Sequence, residues 1–241
     1  MQRAEEKVLG ADPAPDAGFL ADPERLTPEP ERAPFDRMWT SDAARGWRSF
    51  PKLYVAAVDT GHVLETTLWD KLSFLRQRDV KLDTVLIAVE FRERIEKAFR
   101  EDPLQRFQVL ESPDAIDADT AILEVALVQL VPNKAVLGVI GLAAWGAPLE
   151  FGIPVATTTS FIAHGSIAME ARVRDGGSGQ VLAMFADRET GRARVIDLRS
   201  LTWWGNARET LGDWSAALFA VATTPPDEKI EHSPLFTFLL W

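Results

Sequence analysis

Apolar and polar residues alternate along several stretches of the chain, and each stretch predicts a β-strand. The clearest alternation runs from His164 to Arg174, where apolar residues at every second position are separated mostly by polar or charged ones. A period of two is typical of a strand with one buried and one solvated face. Further strands are predicted at 53–58, 106–110, 119–131, 181–186 and 194–198, the first of them covered on both sides. We expect the strands between 164 and 198 to form an antiparallel meander.

Two acidic segments that contain glycine, "RDGGSGQ" and "ADRETGR", separate the strands of this meander. We predict positive φ at Gly176, Gly177 and Gly179, and hydrogen bonds from the turn backbone to Asp175. Gly191 suits the left-handed position of the second hairpin. Neither segment has the ligand spacing of a calcium loop or the Lys-Ser/Thr of a phosphate loop. Both are therefore interpreted as structural hairpin turns.

Two stretches show the helical period instead. From 83 to 101, apolar residues follow helical spacing and charged residues fill the opposite face, until Pro103 ends the pattern. A second helix is predicted at 206–222, beginning at Asn206 with Glu209 three residues later. Its predicted buried stripe consists of Leu211, Trp214, Leu218 and Val221. Burial of such side chains stabilises a fold by about 1.5–3 kcal/mol each, so Trp214 is predicted to be a core residue.

These elements predict one α/β domain of the α+β type, with an antiparallel or mixed sheet and both helices packed on one face. Six of the 15 prolines lie in residues 1–34. That composition buries little, so the segment is predicted to be an acidic linker or a surface arm. The domain itself is predicted to span 35–224, with an apolar insertion at 135–163, and residues 225–241 form a C-terminal extension.

Composition limits the function. The 241 residues are 46% hydrophobic, which is enough for a sizeable core. A net charge of −10 disfavours binding to nucleic acid or to an anionic membrane surface, because both are contacted mainly through Lys and Arg. The chain has no cysteine, which excludes disulfides, thiolate catalysis and cysteine metal sites.

The amino-terminal residues "MQRAEEKVLG" lack the apolar core of a signal peptide. From this we expect either a cytoplasmic protein or a chain trimmed of its export signal. No stretch of about 20 apolar residues occurs, so a transmembrane helix is not expected.

Candidate catalytic and metal-binding residues are few. His164 and Ser166 could form a hydrolase pair with an acidic partner, but a strand-end histidine satisfied by its surroundings explains His164 as well. Asp114, Asp117 and Asp119 could bind a hard cation or form a solvated loop, which is the commoner situation. The adjacent pair Trp203 and Trp204 could stack on a sugar, although such a pair more often has one ring in the core. We assign no catalytic residue, metal site or cofactor.

The segment 135–163 is unusual because Glu150 is its only charged residue. Glycines and prolines interrupt any long helix or strand there, and connections of this length are often functional. One interpretation is that it folds back over a sheet face. The other is that it contacts a partner, a ligand or a membrane, with four residues as anchors: Val136, Leu137, Trp145 and Phe151.

Four segments in order, "GFLADPERL", "LVPNKAVL", "GSIAMEARVRDGGSGQVLAMFADRETG" and "WWGNARETLGDWSAAL", resemble a family of bacterial envelope lipoproteins classified only as a domain of unknown function, DUF3313. The resemblance covers about residues 18–222. It implies export, lipidation of a cysteine and an outer-membrane anchor facing the periplasm. This chain differs in having neither signal nor cysteine, which trimming of the native protein would explain. Residues 1–34 would then be the tether behind the lipid.

We therefore expect a non-catalytic lipoprotein of the cell envelope that binds another envelope protein. A carrier or sensor of a small apolar ligand or lipid is the alternative, and a hydrolase that uses His164 and Ser166 is a remote one. The sequence names neither the partner nor the ligand.

Overall fold

The computed structural model describes residues 13–28, 34–42, 46–64, 74–131, 166–190, 205–225 and 228–230, with the backbone alone at 74–80, 131, 190, 205 and 206. Its elements are β1 (Arg37–Thr40), β2 (Lys52–Val55), α1 (Phe74–Arg100), β3 (Gln108–Leu110), β4 (Thr120–Val131), β5 (Ser166–Asp175), β6 (Val181–Thr190) and α2 (Gly205–Thr223). The predicted strand at 194–198 and the segment 135–163 lie outside the described residues.

The six strands form one mixed sheet in the order β1-β6-β5-β4-β2-β3. Strand β2 is parallel to both β3 and β4, whereas β4, β5, β6 and β1 pair antiparallel. Helix α1 connects the parallel neighbours β2 and β3, as a crossover between parallel strands requires. The predicted α+β fold with a mixed sheet is confirmed.

Both helices pack on the same face of the sheet, as predicted. Ile87, Phe91 and Ile95 of α1 share one core with Trp214 of α2 and with the inward residues of the strands. Trp214 is 2% exposed, and its indole Nε1 donates a 2.6 Å hydrogen bond to the buried Asp187 carboxylate. Its assignment to the core is confirmed.

The opposite face of the sheet carries a second, smaller core. There the amino-terminal arm, residues 13–28, packs Phe19, Leu20 and Leu26 over Ala168 and Met184 of the sheet. The predictions that this segment buries little and that β5 has one solvated face are therefore wrong for the described residues. Alternation placed polar residues on that face, but an arm from the far end of the chain covers them. The predicted domain boundaries stay a prediction.

The turn between β5 and β6 lies where the sequence predicts it, but its glycines have roles that differ from the predicted ones. Asp175 Oδ1 accepts hydrogen bonds from the amides of Gly177 and Ser178, as expected. Only Gly179 has positive φ, at 73°. At Gly176 a Cβ would lie 2.7 Å from the Asp117 carbonyl oxygen, so this glycine is required for close packing against the loop before β4. The predicted positive φ at Gly176 and Gly177 is wrong.

Most of the residues predicted to form the second turn belong to a strand. Strand β6 continues to Thr190, so Asp187, Arg188 and Glu189 are strand residues paired with β5. Gly191, the predicted closing residue of that turn, lies outside the described residues.

Candidate functional site

The four anchors predicted from sequence, Val136, Leu137, Trp145 and Phe151, all lie outside the described residues. So do His164, Trp203 and Trp204. Ser166 begins β5 at the pairing position opposite Thr190. The described residues therefore do not test the predicted contact or hydrolase residues, and those hypotheses stay predictions.

The acidic loop before β4 has a structural arrangement. The Asp117 carboxylate accepts hydrogen bonds from Lys52 Nζ at 2.5 Å and Thr120 Oγ1 at 2.8 Å. These bonds, the one from Lys52 foremost, lower the pKa of Asp117 to about 2. Asp114 instead lies within hydrogen-bond distance of Ser112 in its own turn. Among the described residues no group of three acidic or histidine side chains is placed to hold a metal ion.

An open groove of about 500 Å³ runs along α1. One wall is formed by residues 57, 58 and 60, which follow β2, and by Glu111 after β3. The other wall is α1 itself, with Val85, Ala88 and Val89 near its middle and charged residues further along. The groove is thus apolar where α1 is apolar and charged towards the end of the helix.

The charged half of the groove is organised around Glu96, whose side chain is 12% exposed. Arg92 Nε lies 3.0 Å from one carboxylate oxygen of Glu96, and Arg100 Nη2 lies 3.1 Å from the other. The Arg92 guanidinium also lies 6.0 Å from the centre of the Tyr54 ring. These contacts hold the basic side chains along the helix surface.

An exposed apolar stripe adjoins the groove on α1. It consists of Leu82, Val85, Leu86 and Val89, with exposures of 56%, 52%, 63% and 52%. The spacing i, i+3, i+4, i+7 places all four on one side of the helix. The buried side of the same helix carries Ile87 at 1% exposure and Phe91 at 0%. Helix α1 thus has two apolar faces over this stretch, only one of which is in the core.

Sequence reasoning missed this stripe. The sequence pattern predicts a helix that begins at residue 83, which leaves Leu82 outside it, and it predicts a charged face opposite the core. The signal was nevertheless present, because residues 82, 85, 86 and 89 form a second helical series beside the one that enters the core.

Behind the stripe, helix α1 contacts α2 through an ion pair and through aromatic packing. The Glu90 carboxylate accepts a 2.8 Å hydrogen bond from Arg94 and another of 2.8 Å from Arg208 of α2. Desolvation opposes ionisation of Glu90, but the hydrogen bonds from Arg208 and Arg94 outweigh it and lower the pKa. Phe91 and Trp214, with ring centres 5.8 Å apart, join the two helices beneath.

A buried carboxyl group lies on the other side of the sheet, under the amino-terminal arm. Glu170 of β5 is 0% exposed, and neither carboxylate oxygen has a well-formed hydrogen bond. Desolvation, reinforced by the nearby Asp16, raises its pKa despite Arg37 and the approach of the Phe19 and Leu20 amides. Arg172 donates to the Phe19 carbonyl oxygen at 2.8 Å and covers the Phe19 ring at 4.5 Å.

Residues 15–218 match the family described as "Protein of unknown function (DUF3313)". The chain belongs to this family. The match spans the arm, the sheet and most of α2, so the described DUF3313 domain includes the exposed stripe and the arm that covers Glu170. A comparison with curated proteins gave no match.

Solved structures that resemble this DUF3313 domain include the PelC dodecamer from Paraburkholderia phytofirmans, with 10% identity, a TM-score of 0.38, and coverage of 76% of this chain and 94% of that chain. A variant of that dodecamer has 10% identity and a TM-score of 0.39, and the match covers 75% of this chain and 97% of that chain. Protein XCC0632 from Xanthomonas campestris, of family DUF330, has 13% identity and a TM-score of 0.39, and the match covers 74% of this chain and 86% of that chain. These similarities support no conclusion about function.

Proposed function

We propose that this chain is a non-catalytic binding module of the bacterial envelope that contacts another protein through the stripe on α1. The observation that carries the proposal is the stripe itself, four large apolar side chains that are each more than half exposed on one helix. Grouped apolar side chains on a surface commonly mark interaction sites, whereas single ones are unremarkable. The i, i+3, i+4, i+7 spacing of these residues is that of the anchor residues through which an amphipathic helix binds a partner.

The shape of the surroundings supports protein binding further. The apolar residues adjoin a groove whose other half carries Arg92, Glu96 and Arg100. Protein interfaces combine an apolar centre with a polar rim in this way. The ion pair between Glu90 of α1 and Arg208 of α2, with the packing beneath it, positions the helix before a partner arrives, which lowers the ordering cost of association.

We further propose that the native protein is anchored by a lipid to the outer membrane and faces the periplasm. This rests on the resemblance of the sequence to envelope lipoproteins. Among the described residues no helix combines the length and apolar character needed to cross a bilayer. Expression of the complete native gene with radioactive palmitate, followed by membrane fractionation, tests the anchor. Label in an outer-membrane protein supports it, and an unlabelled protein contradicts it.

Photo-crosslinking in cells tests the contact surface. A photoreactive amino acid is placed at position 86 in the stripe, and the matched control carries it at Leu104, an equally apolar residue that is 71% exposed beyond the end of α1. We expect protein adducts from position 86 that are absent or much weaker from position 104. Equal adducts from both positions, or none from position 86, would contradict the proposed contact.

The alternative function, a carrier of a small apolar ligand, is tested by purifying the protein from cells and analysing what it has bound. The groove volume lies within the range of about 300–1,000 Å³ usual for small-molecule pockets. Lipid or another apolar compound released on denaturation and identified by mass spectrometry would favour a carrier. Under our proposal, none is released.

A further inference from the structure

We infer that the part of the partner protein that enters the groove beside α1 is an extended, basic segment, which adds a strand to the sheet where β3 ends. The inference rests on the proposed function and names the chemistry of the partner. Three features carry it: the end of β3, the apolar residues of the groove and the balance of its charges.

The sheet has an open edge beyond β3. Strand β3 ends at Leu110, which pairs with Tyr54, so its ladder with β2 stops there. The chain after β2 nevertheless continues alongside β4, because the Ala56 and Asp59 amides donate to carbonyl oxygens of β4 at 2.9 and 2.8 Å. In the described part of the chain no strand pairs with the other side of residues 56–59, which we call the open edge.

Ala57 presents a hydrogen-bond donor at the open edge. Successive amides of an extended chain point to opposite sides, and the Ala56 amide points to β4, so the Ala57 amide points away from it. No described residue accepts a hydrogen bond from this amide, and Ala57 is exposed. An exposed edge of this kind is a template on which an extended segment of another protein can pair.

The groove lies directly against the open edge. Ala57 and Val58 line one of its walls, and Val85 and Val89 of α1 line the other. A strand added to the edge would have α1 beside it, with every second side chain facing the helix. The apolar lining therefore requires apolar residues at alternate positions of the added strand.

The charges of the groove select a basic segment. Its charged lining consists of three acidic and two basic side chains: Arg92, Glu93, Glu96, Arg100 and Glu111. Glu96 pairs with both arginines. Glu93 and Glu111 are exposed, and neither forms an ion pair with a described residue. A lysine or arginine of the partner is the complement that these two carboxylates lack, whereas an apolar small molecule would use neither them nor the open edge.

Photo-crosslinking in cells tests the added strand. The photoreactive amino acid stays at position 86, and the chain also carries Ala57→Pro, which removes the N–H at the open edge. Proline is tolerated on the unpaired side of an edge strand, so the fold should persist, which urea unfolding would verify. We expect the adducts from position 86 to fall about tenfold, because the strand loses a main-chain hydrogen bond and its register.

A second variant leaves the backbone unchanged. Glu93→Lys combined with Glu111→Lys reverses the excess charge of the groove, and it should also lower the adducts from position 86 about tenfold. The matched control is Glu101→Lys, which reverses an exposed charge on the same side of the sheet but outside the groove lining. It should leave the adducts as they are in the native chain.

Selection of peptides by the purified chain tests the chemistry of the segment. A phage library of random peptides of about ten residues is selected on the native chain and counter-selected on the Ala57→Pro chain. We expect enriched peptides with apolar residues at alternate positions and at least one lysine or arginine. When such a peptide binds, hydrogen exchange of the Ala57 amide should slow about tenfold or more, as measured by NMR. A helical occupant would leave this exchange unchanged.

Adducts from position 86 that persist in both variants would overturn the basic strand and leave the proposed contact standing with another kind of partner segment. Enriched peptides without basic residues, or an unchanged exchange rate at Ala57, would overturn it as well. Absence of adducts from position 86 in the native chain would remove the proposed contact and this inference together.

Discussion

At the scale of single residues, the most informative side chain is Glu170. Alternation along β5 places it on the polar face of the strand, where the sequence predicts solvent. The structure buries it completely beneath Phe19 and Leu20 of the arm, beside Asp16. A buried carboxyl without good hydrogen bonds favours its neutral form. The stability of the packing between the arm and the sheet therefore depends on pH through Glu170.

We predict that Glu170→Gln removes a pH dependence of stability. The pKa of Glu170 is raised in the folded chain, so its contribution is fully present below the unfolded pKa and is lost as pH rises through the folded pKa. The native chain should thus become less stable from acidic towards neutral pH by this contribution, and the variant should not. Urea unfolding at several pH values measures the difference.

The control for this prediction is Glu93→Gln, which changes an exposed carboxyl group on α1. It should leave the pH profile of the native chain in place. If Glu170→Gln and the native chain show parallel profiles, the coupling between Glu170 and the arm is wrong.

At the scale of secondary-structure elements, α1 shows which features of a helix the hydrophobic period predicts and which it does not. Its buried series, including Phe91, Ile95 and Phe99, could be predicted from the sequence, as could the stop before Pro103. Its early start at Phe74 and its second apolar face could not, because a period identifies apolar sides of a helix without saying what covers each. Likewise the need for glycine at position 176 depends on the Asp117 carbonyl oxygen, nearly 60 residues away.

We predict that the two apolar faces of α1 differ sharply in their effect on stability. Leu86→Ala should change the free energy of unfolding by less than about 0.5 kcal/mol, since its side chain is 63% exposed. Ile95→Ala should cost about 2–5 kcal/mol, because it empties a site that is 0% exposed. Chemical denaturation of both variants provides the comparison. A large loss for Leu86→Ala would mean that the stripe is covered within one chain, which would argue against its role as an interface.

At the scale of the whole molecule, the arm turns a sheet with one helical layer into a three-layer arrangement. Arg37 Nη2 donates to the Ala14 carbonyl oxygen at 2.9 Å, and Arg172 holds the Phe19 carbonyl oxygen. Glu124 in turn accepts hydrogen bonds from both Arg172 and Arg174. The sequence predicted the sheet and the helical layer, but the proline-rich composition of the arm concealed its few anchoring side chains.

We predict that Leu20→Ala loosens this third layer. Leu20 is 3% exposed, and its truncation should cost about 2 kcal/mol or more, with increased binding of an apolar dye to the uncovered sheet. Glu24→Ala, an exposed position in the same arm, is the matched control and should behave like the native chain. Unchanged melting temperature and dye binding for Leu20→Ala would show that the arm adds nothing to the fold.

The pairing of β1 with β6 also sets an order of assembly. Thr40 faces Ala183, and the Asp36 amide donates to the Asp187 carboxylate across 151 positions of sequence. During synthesis the arm and β1 leave the ribosome first, yet the strands they cover emerge far later. Long-range pairing of this kind is slow, because a large loop must close before any contact rewards it. The amino-terminal layer is therefore expected to dock among the last steps of folding, and until then the apolar side chains beneath it are open to chaperones and to aggregation.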